Sequence, residues 1–421
     1  MKNKKSKLFD KRSYLGMILF IALLHIIIFF QYDSSIFLNY NTQFTLFVWL
    51  FCIFIAYSNQ NILFLLLPFL LLILNETFLI LFNIDIFNGG QRTALFYDIT
   101  TTYFIKNGKN NTNLTEGLYL KKLNDMSSIM TLEECKKLDP KQANDNKYIK
   151  LFMDLNIPKQ DYSKIKLLDI GCGNGDFIKY CKSIGIQASG LSISKNQVKQ
   201  LKDQGYDVYL GSYRELQKQF IEKYDIITCW GCLEHITDSY PCSKSGEKKA
   251  KKILKEMMDC FKQYYDSKSR YKYFFNTTLH FNPKYCGTMD AYLIERAYAG
   301  WYFYDKPGET IGDLIEGFEP IYNIDMTYHY YAATKIDVKH FGTPRNLDLY
   351  SILCFIGGFF INPQICAMIL YGLRGEWMWQ FDGKTHKDEL CSDCDFEFDR
   401  SKRPTTLLWS LNKIKYKYNV L

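Results

Sequence analysis

Three glycines, Gly171, Gly173 and Gly175, alternate within the run Leu167-Leu-Asp-Ile-Gly-Cys-Gly-Asn-Gly-Asp-Phe177. An apolar stretch precedes them and a helix-like stretch follows, so the chain is expected to turn sharply there from a buried strand into a helix. Glycine permits positive φ and lets bare backbone approach a ligand closely. A dinucleotide-phosphate loop uses the same geometry. Asp169, two residues before the first glycine, argues for a different ligand, because a carboxylate there repels a pyrophosphate and suits an ammonium-bearing amino-acid moiety. Other candidate chemistry is thinner. The 13 cysteines are odd in number and lack framework spacing, which favours reduced thiols in a cytosolic environment. Cys391-Ser-Asp-Cys394 has neither a second such pair nor a histidine pair beside it, so a polar turn with two free thiols is expected ahead of a zinc or redox site. His235, His280, His329 and His340 show no metal-ligand spacing and read as structural or exposed, and no metal site is expected.

The run Asp169-Ile-Gly-Cys-Gly-Asn-Gly175 resembles motif I of class I S-adenosylmethionine-dependent methyltransferases. The acid expected at the end of the next strand is missing, and the chain reads Gly190-Leu-Ser-Ile-Ser-Lys-Asn-Gln197. Ser192, Ser194 and Gln197 stand where that carboxylate would be and can hydrogen-bond a ribose without charge. This pattern is similar to the G-V-T-L-S-x-x-Q of the cyclopropane-fatty-acid synthase family. Further similarities follow in the family's order: Phe96-Tyr-Asp, Gly211-Ser-Tyr-Arg-Glu-Leu216, Tyr224-Asp-Ile-Ile-Thr-Cys-Trp-Gly-Cys-Leu-Glu-His235 and Tyr330-Tyr-Ala-Ala-Thr334. Together they cover roughly residues 95 to 345. The resemblance implies cofactor contacts at Asp169, Gly171, Cys172, Gly173, Gly175, Ser192, Gln197, Ser212, Tyr213 and Tyr97, with Ser212 in place of the family's adenine-contacting Asp.

Family members hold a bicarbonate as base, using a Cys, a Glu, a His and a Tyr. Position by position, the resemblance puts Glu116 at the Cys, Glu234 at the Glu, Asn276 at the His and Tyr331 at the Tyr. Two of the four are changed, and a carboxylate at 116 beside Glu234 would repel an anion. The expectation is that Glu116 replaces bicarbonate as the base, or that Glu116 and Glu234 share one proton. Methyl transfer to a carbon–carbon double bond leaves a carbocation that must lose a proton, and aromatic faces such as Trp301, Tyr302, Phe303 and Tyr304 are candidates to stabilise it. The expected activity is methylation of a lipid at an unsaturated acyl or sphingoid chain. Methylation of a small molecule at nitrogen or carbon, or an inactive membrane-bound protein that only binds the cofactor, are the alternatives.

These groups need elements to hold them. Strands are expected at Ile165–Ile170, Ala188–Leu191, Val208–Leu210, Asp225–Trp230 and Tyr271–Thr277. Helices are expected at Phe177–Ser183, Lys195–Gln204 and Lys249–Tyr265. Such alternation implies an α/β fold, a doubly wound, mostly parallel Rossmann-like sheet. Hydrophobic residues make up 48% of the chain and aromatics 17%, with the excess before residue 84. Tyr14–Phe30, Phe44–Tyr57 and Ile62–Phe82 are apolar, and a bilayer crossing takes ~20 such residues. A basic tail precedes them, since residues 1–13 carry six Lys or Arg against Asp10. Beside an apolar run that charge fits anionic lipid head groups, not nucleic acid.

The expected organisation is a basic tail (1–13), a membrane anchor of two to three helices (14–83), a lid and connector (84–150), the methyltransferase domain (151–345) and a C-terminal helical extension (346–421). A cytosolic domain on two effective crossings is expected, making this an integral membrane protein whose partners are the bilayer and a lipid substrate. Glycans at Asn110 or Asn113 would reverse that topology. Asp348–Arg374 is expected as two core helices about a Pro turn, or as a surface that dips into lipid. The sequence leaves the oligomeric state open.

Overall fold

The computed structural model describes residues 90–91, 93–98, 101, 115–236, 244–281, 316–333 and 405–414, all within one compact unit. The basic tail, the apolar run 14–83, both sequons, Trp301–Tyr304, His340, Asp348–Arg374 and Cys391/Cys394 lie outside the described residues. Among the described residues no helix is long and apolar enough to cross a membrane.

Seven strands form one sheet in the order β3-β2-β1-β4-β5-β7-β6. They are β1 Lys166–Ile170, β2 Gln187–Ser192, β3 Asp207–Leu210, β4 Ile226–Trp230, β5 Tyr273–Phe281, β6 Phe318–Asp325 and β7 Thr405–Ile414. The first five are parallel, each expected from the sequence to within a few residues. A parallel sheet is covered on both faces, which is why β4 reads Ile-Ile-Thr-Cys-Trp with every residue buried. Helices α1 Pro140–Leu155, α2 Asp176–Ser183, α3 Lys195–Asp203 and α4 Lys244–Tyr264 supply the cover. In α4 the buried set Ala250, Leu254, Met257, Met258, Phe261 and Tyr264 recurs at three- and four-residue intervals and packs on Ile227 and Phe274. On the opposite face α1 brings Tyr148, Leu151, Phe152 and Leu155 against Phe177, Trp230 and Phe275. Asp139 caps α1 by accepting from the Lys141 amide, with Pro140 in the first turn.

Strands β6 and β7 correct the sequence reading. Residues 405–414, expected within a helical C-terminal extension, form β7, which pairs antiparallel with both β5 and β6. Alternation explains it: Leu407, Trp409 and Leu411 join one core and are fully or almost fully buried. The connector also has a structural role, because α1 begins inside it and packs on the sheet.

Between β1 and α2 the backbone adopts positive φ at Gly171, Gly173 and Gly175 (72°, 54° and 78°). A Cβ on Gly175 would lie 2.4 Å from Leu201 Cδ2. Gly175→Ala therefore combines strain with a clash and should lower unfolding stability by about 2–4 kcal/mol, measured by urea denaturation with an unchanged slope.

Candidate active site

The bend after β1 lies where the sheet order reverses, with β2 on one side of β1 and β4 on the other. Ligands of open α/β sheets bind in the crevice at such a switch point. The Gly171 and Cys172 amides donate to Leu191 O of β2 (2.8 and 3.1 Å), closing the bend against its neighbour. A Cβ on Gly171 would lie 2.7 Å from Cys232, so the loop after β4 touches it. At Gly173 a Cβ would meet nothing within 4 Å, which leaves that stretch of backbone open to a ligand. The Cys172 thiol turns away, packing with Ile178, Val198 and Leu201 beneath β2. Its role in the bend is confined to the main chain.

Asp169 is buried and accepts from Thr228 Oγ1 of β4 at 2.7 Å. Burial pushes its carboxyl up to about 7, against the Thr228 hydrogen bond and the nearby Lys147 ammonium. It is therefore poised to gain or lose charge near neutrality.

At the end of β2, Ser192 Oγ donates to Gln197 Oε1 (2.8 Å), and Gln197 Nε2 donates to Thr101 Oγ1 (3.1 Å). The expected ribose contacts are thus spent within the protein, tying residues 93–101 to the start of α3. The same segment brings a carboxylate, Asp98, to the α3 N-terminus. Asp98 Oδ1 accepts from Ser194 Oγ (2.6 Å) and from the Asn196 amide (3.1 Å) at the α3 N-terminus. Tyr97, one residue earlier, pairs its hydroxyl with His235 Nε2 at 2.9 Å, and burial beside Cys232, Glu234 and Tyr330 drives its pKa upward. Tyr97 therefore joins the loop after β4. Ser212 Oγ accepts from the Arg214 amide. Tyr213 departs from expectation, since its ring packs edge-on to Phe261 in the α4 core, 5.7 Å between centroids.

The catalytic candidates divide by strand face. Glu116, in the buried strap 115–120, accepts from Trp409 Nε1 of β7 at 2.6 Å. Glu234 follows β4, and its Oε1 accepts from the Leu279 amide of β5 at 2.7 Å. Its Oε2 is buried with no hydrogen-bond partner among the described residues. Burial raises both carboxyls, Glu234 to about 7, and the charge of Glu116 contributes to that rise. The two carboxyls are near enough for the charge of Glu116 to be felt at Glu234. Asn276 departs from it. In register with Cys229, it shares the face of Phe274, while Thr277 shares the face of Trp230 and Trp409. The two-residue period of a strand separates Asn276 from the side chains Glu116 meets, and its Nδ2 donates to Thr278 Oγ1 instead. Tyr331 packs beside Tyr328, 6.4 Å between centroids, while its neighbour Tyr330 adjoins Tyr97. His329 is buried, accepts from the Tyr119 amide and is pushed down to about 3, as befits a neutral structural imidazole.

Two features escaped the sequence reading. Lys147 of α1 is wholly buried beside these carboxylates. Its signal was a lysine within the apolar face of a helix. Cys229-Trp-Gly-Cys232 is a second pair with the spacing of Cys391 and Cys394, and its sulfurs lie 2.7 Å apart behind the glycine bend.

Residues 142–265 match the family model described as a methyltransferase domain. Over 109 residues the chain is 30% identical to "Probable fatty acid methyltransferase Rv3720" of Mycobacterium tuberculosis, 24% of each protein. The chain thus spans about a quarter of the length of that curated relative. The structure is similar to that of mycolic acid cyclopropane synthase CmaA1 complexed with SAH and CTAB, with a TM-score of 0.50 and 14% identity over 77% of this chain and 97% of that one. It is also similar to the cyclopropane synthase MmaA2 from Mycobacterium tuberculosis, with a TM-score of 0.46 and 15% identity over 78% and 100%. The chain carries a methyltransferase domain, and the glycine bend and the switch point lie within the matched residues.

If Asp169 holds the ligand's ammonium, lowering the pH through about 7 protonates it and removes the attraction. Calorimetry should show S-adenosylmethionine binding that weakens on acidification. Asp169→Asn should bind about tenfold more weakly at neutral pH and lose that dependence.

Proposed function

We propose that this protein transfers a methyl group from S-adenosylmethionine to a carbon–carbon double bond in an unsaturated acyl or sphingoid chain of a lipid. The enzyme class follows from the domain match over 142–265 and from the sheet order that carries it. One observation carries the rest: two buried carboxylates feel each other's charge, Glu116 held by Trp409 of β7 and Glu234, just after β4, held by the Leu279 amide of β5. A transfer to oxygen or nitrogen can shed its proton to water, whereas a methylated alkene needs a base inside a dry site. The relative named as a fatty acid methyltransferase supports a lipid acceptor. So does the apolar sequence 14–83, which would place enzyme and substrate on one bilayer; the integral-membrane and cytosol-facing reading rests on that sequence alone.

The residues present fit the cofactor. Asp169, the backbone at Gly171–Gly175 and the segment that Ser192 and Gln197 tie down would hold it, and when bound it supplies an electrophilic methyl group. Alignment and exclusion of water are the protein's share. Transfer of that methyl group would leave positive charge on the acceptor chain, in exchange for the sulfonium charge lost from the donor. Loss of a proton to the carboxylate pair then closes a cyclopropane or restores an alkene. Glu234, with its unpaired Oε2, and Glu116, held by Trp409, can take that proton without a bicarbonate.

Membranes containing the protein, given methyl-labelled S-adenosylmethionine, should incorporate label into the lipid extract with a mass gain of one CH2. Label confined to water-soluble products would overturn the lipid reading. Glu116→Gln should slow turnover about 100-fold while retaining cofactor binding. Removal of bicarbonate should leave the wild-type rate unchanged, and strict bicarbonate dependence would refute an internal base.

A further inference from the structure

A lysine at the centre of a core requires a physical reason. Lys147 is fully buried on the apolar face of α1, next to Tyr148 and one turn before Leu151. Removing an ammonium from water costs several kcal/mol unless other groups compensate. Its Nζ donates to Thr115 Oγ1 and to Glu116 O, the latter at 2.8 Å. The rings of Tyr148 and Trp230 lie 5.1 and 5.3 Å away, within cation–π range. Glu116 of the strap, Asp176 of α2 and Asp169 of β1 surround it with negative charge. Glu116 in turn faces Trp409 of β7 and Glu234 after β4.

The strap is fitted closely to this helix. The Leu118 amide donates to Ala143 O at 2.8 Å, and Asn146 Nδ2 donates to Leu118 O at 3.4 Å. A Cβ on Gly117 would lie 2.7 Å from Ala143 Cβ, so strap and helix approach as only a glycine permits. Lys147 thus grips the backbone of the residue whose side chain is held by Trp409 of β7. One ammonium stands between Asp169 of the donor bend and Glu116.

We propose that Lys147 is a positioning residue for methyl transfer, pinning residues 115–116 to α1 through its hydrogen bonds to Thr115 and Glu116 O and placing a positive charge beside the Glu116 carboxylate. Burial lowers the ammonium to about 8, with Glu116 the largest opposing influence. Lys147 reciprocally lowers Glu116 against the effect of burial. Without the cation, Glu116 holds its proton to higher pH. The inference rests on the reading of Glu116 as proton acceptor, but its test needs no acceptor.

The carboxylic C=O stretch of Glu116, assigned by its loss in Glu116→Gln, is followed by infrared titration of the unliganded protein. Lys147→Met removes both the charge and the hydrogen bonds. Lys147→Gln removes the charge but can still donate to the strap, and it decides the matter where Lys147→Met does not accumulate. Both should move the Glu116 midpoint up by about one pH unit or more. Both should also shift the acid limb of turnover in the same direction, with rates at neutral pH down at least about tenfold. An unmoved midpoint in Lys147→Gln overturns the proposal, whatever lipid labelling shows. Absence of label from lipid overturns the acceptor assignment while leaving this titration intact.

Discussion

Everything at this site depends on the sheet changing direction at β1. Strands β2 and β3 are added on one side, β4 and β5 on the other, so the connections leaving β1 and β4 diverge and a crevice remains above them. The glycine bend can occupy that position because its backbone needs no side-chain room at Gly173 and tolerates positive φ throughout. Hydrogen bonds from the bend to Leu191 O and contact with Cys232 fix it to both neighbours. The crevice is therefore bounded by rigid strand ends, with the segment around Tyr97 and Asp98 closing over α3 and His235.

The second organising fact is the amount of charge gathered on one face of the sheet. Asp169, Lys147 and Glu116 are all buried there, with Glu234 at the strand ends beside them. An apolar core of equal volume would be the more stable choice. Buried ionisable groups with shifted affinity for protons are what a catalytic site requires. The opposite face, packed by α4, is built from Met, Phe, Leu and Tyr with far less buried charge, as expected where the helix only has to cover the sheet.

Much of this was legible in the sequence, for physical reasons that differ by element. The parallel strands were legible because β1 and β4 are short apolar runs and because amphipathic helices follow β1 and β2 directly. The bend was legible because three alternating glycines after a buried strand have few other uses. Strand β7 was not, because Thr405-Thr-Leu-Leu-Trp-Ser-Leu-Asn-Lys-Ile414 is separated from its partner β5 by a long stretch. Local pattern does not report a distant pairing. Asn276 and Tyr213 were misjudged for a common reason: similarity of motif places a residue along a strand or turn, while register and packing decide which face its side chain joins. Asp98 could not be foreseen at the α3 N-terminus, because it comes there from almost a hundred residues upstream of Ser194. Lys147 was passed over because lysine on a helix normally belongs to solvent.

The place of β7 in the sheet also bears on how the protein comes into being. This strand fills the space between β5 and β6, so until it arrives one edge of β5 presents unpaired amides and carbonyls. Every residue from 282 to 404 must leave the ribosome first, a delay on the order of ten seconds at ~5–20 residues per second. Through that interval the nascent domain carries an open, aromatic strand edge of the kind that pairs with other chains. Until β7 is made, that edge of β5 is the part of the sheet most open to pairing with another chain.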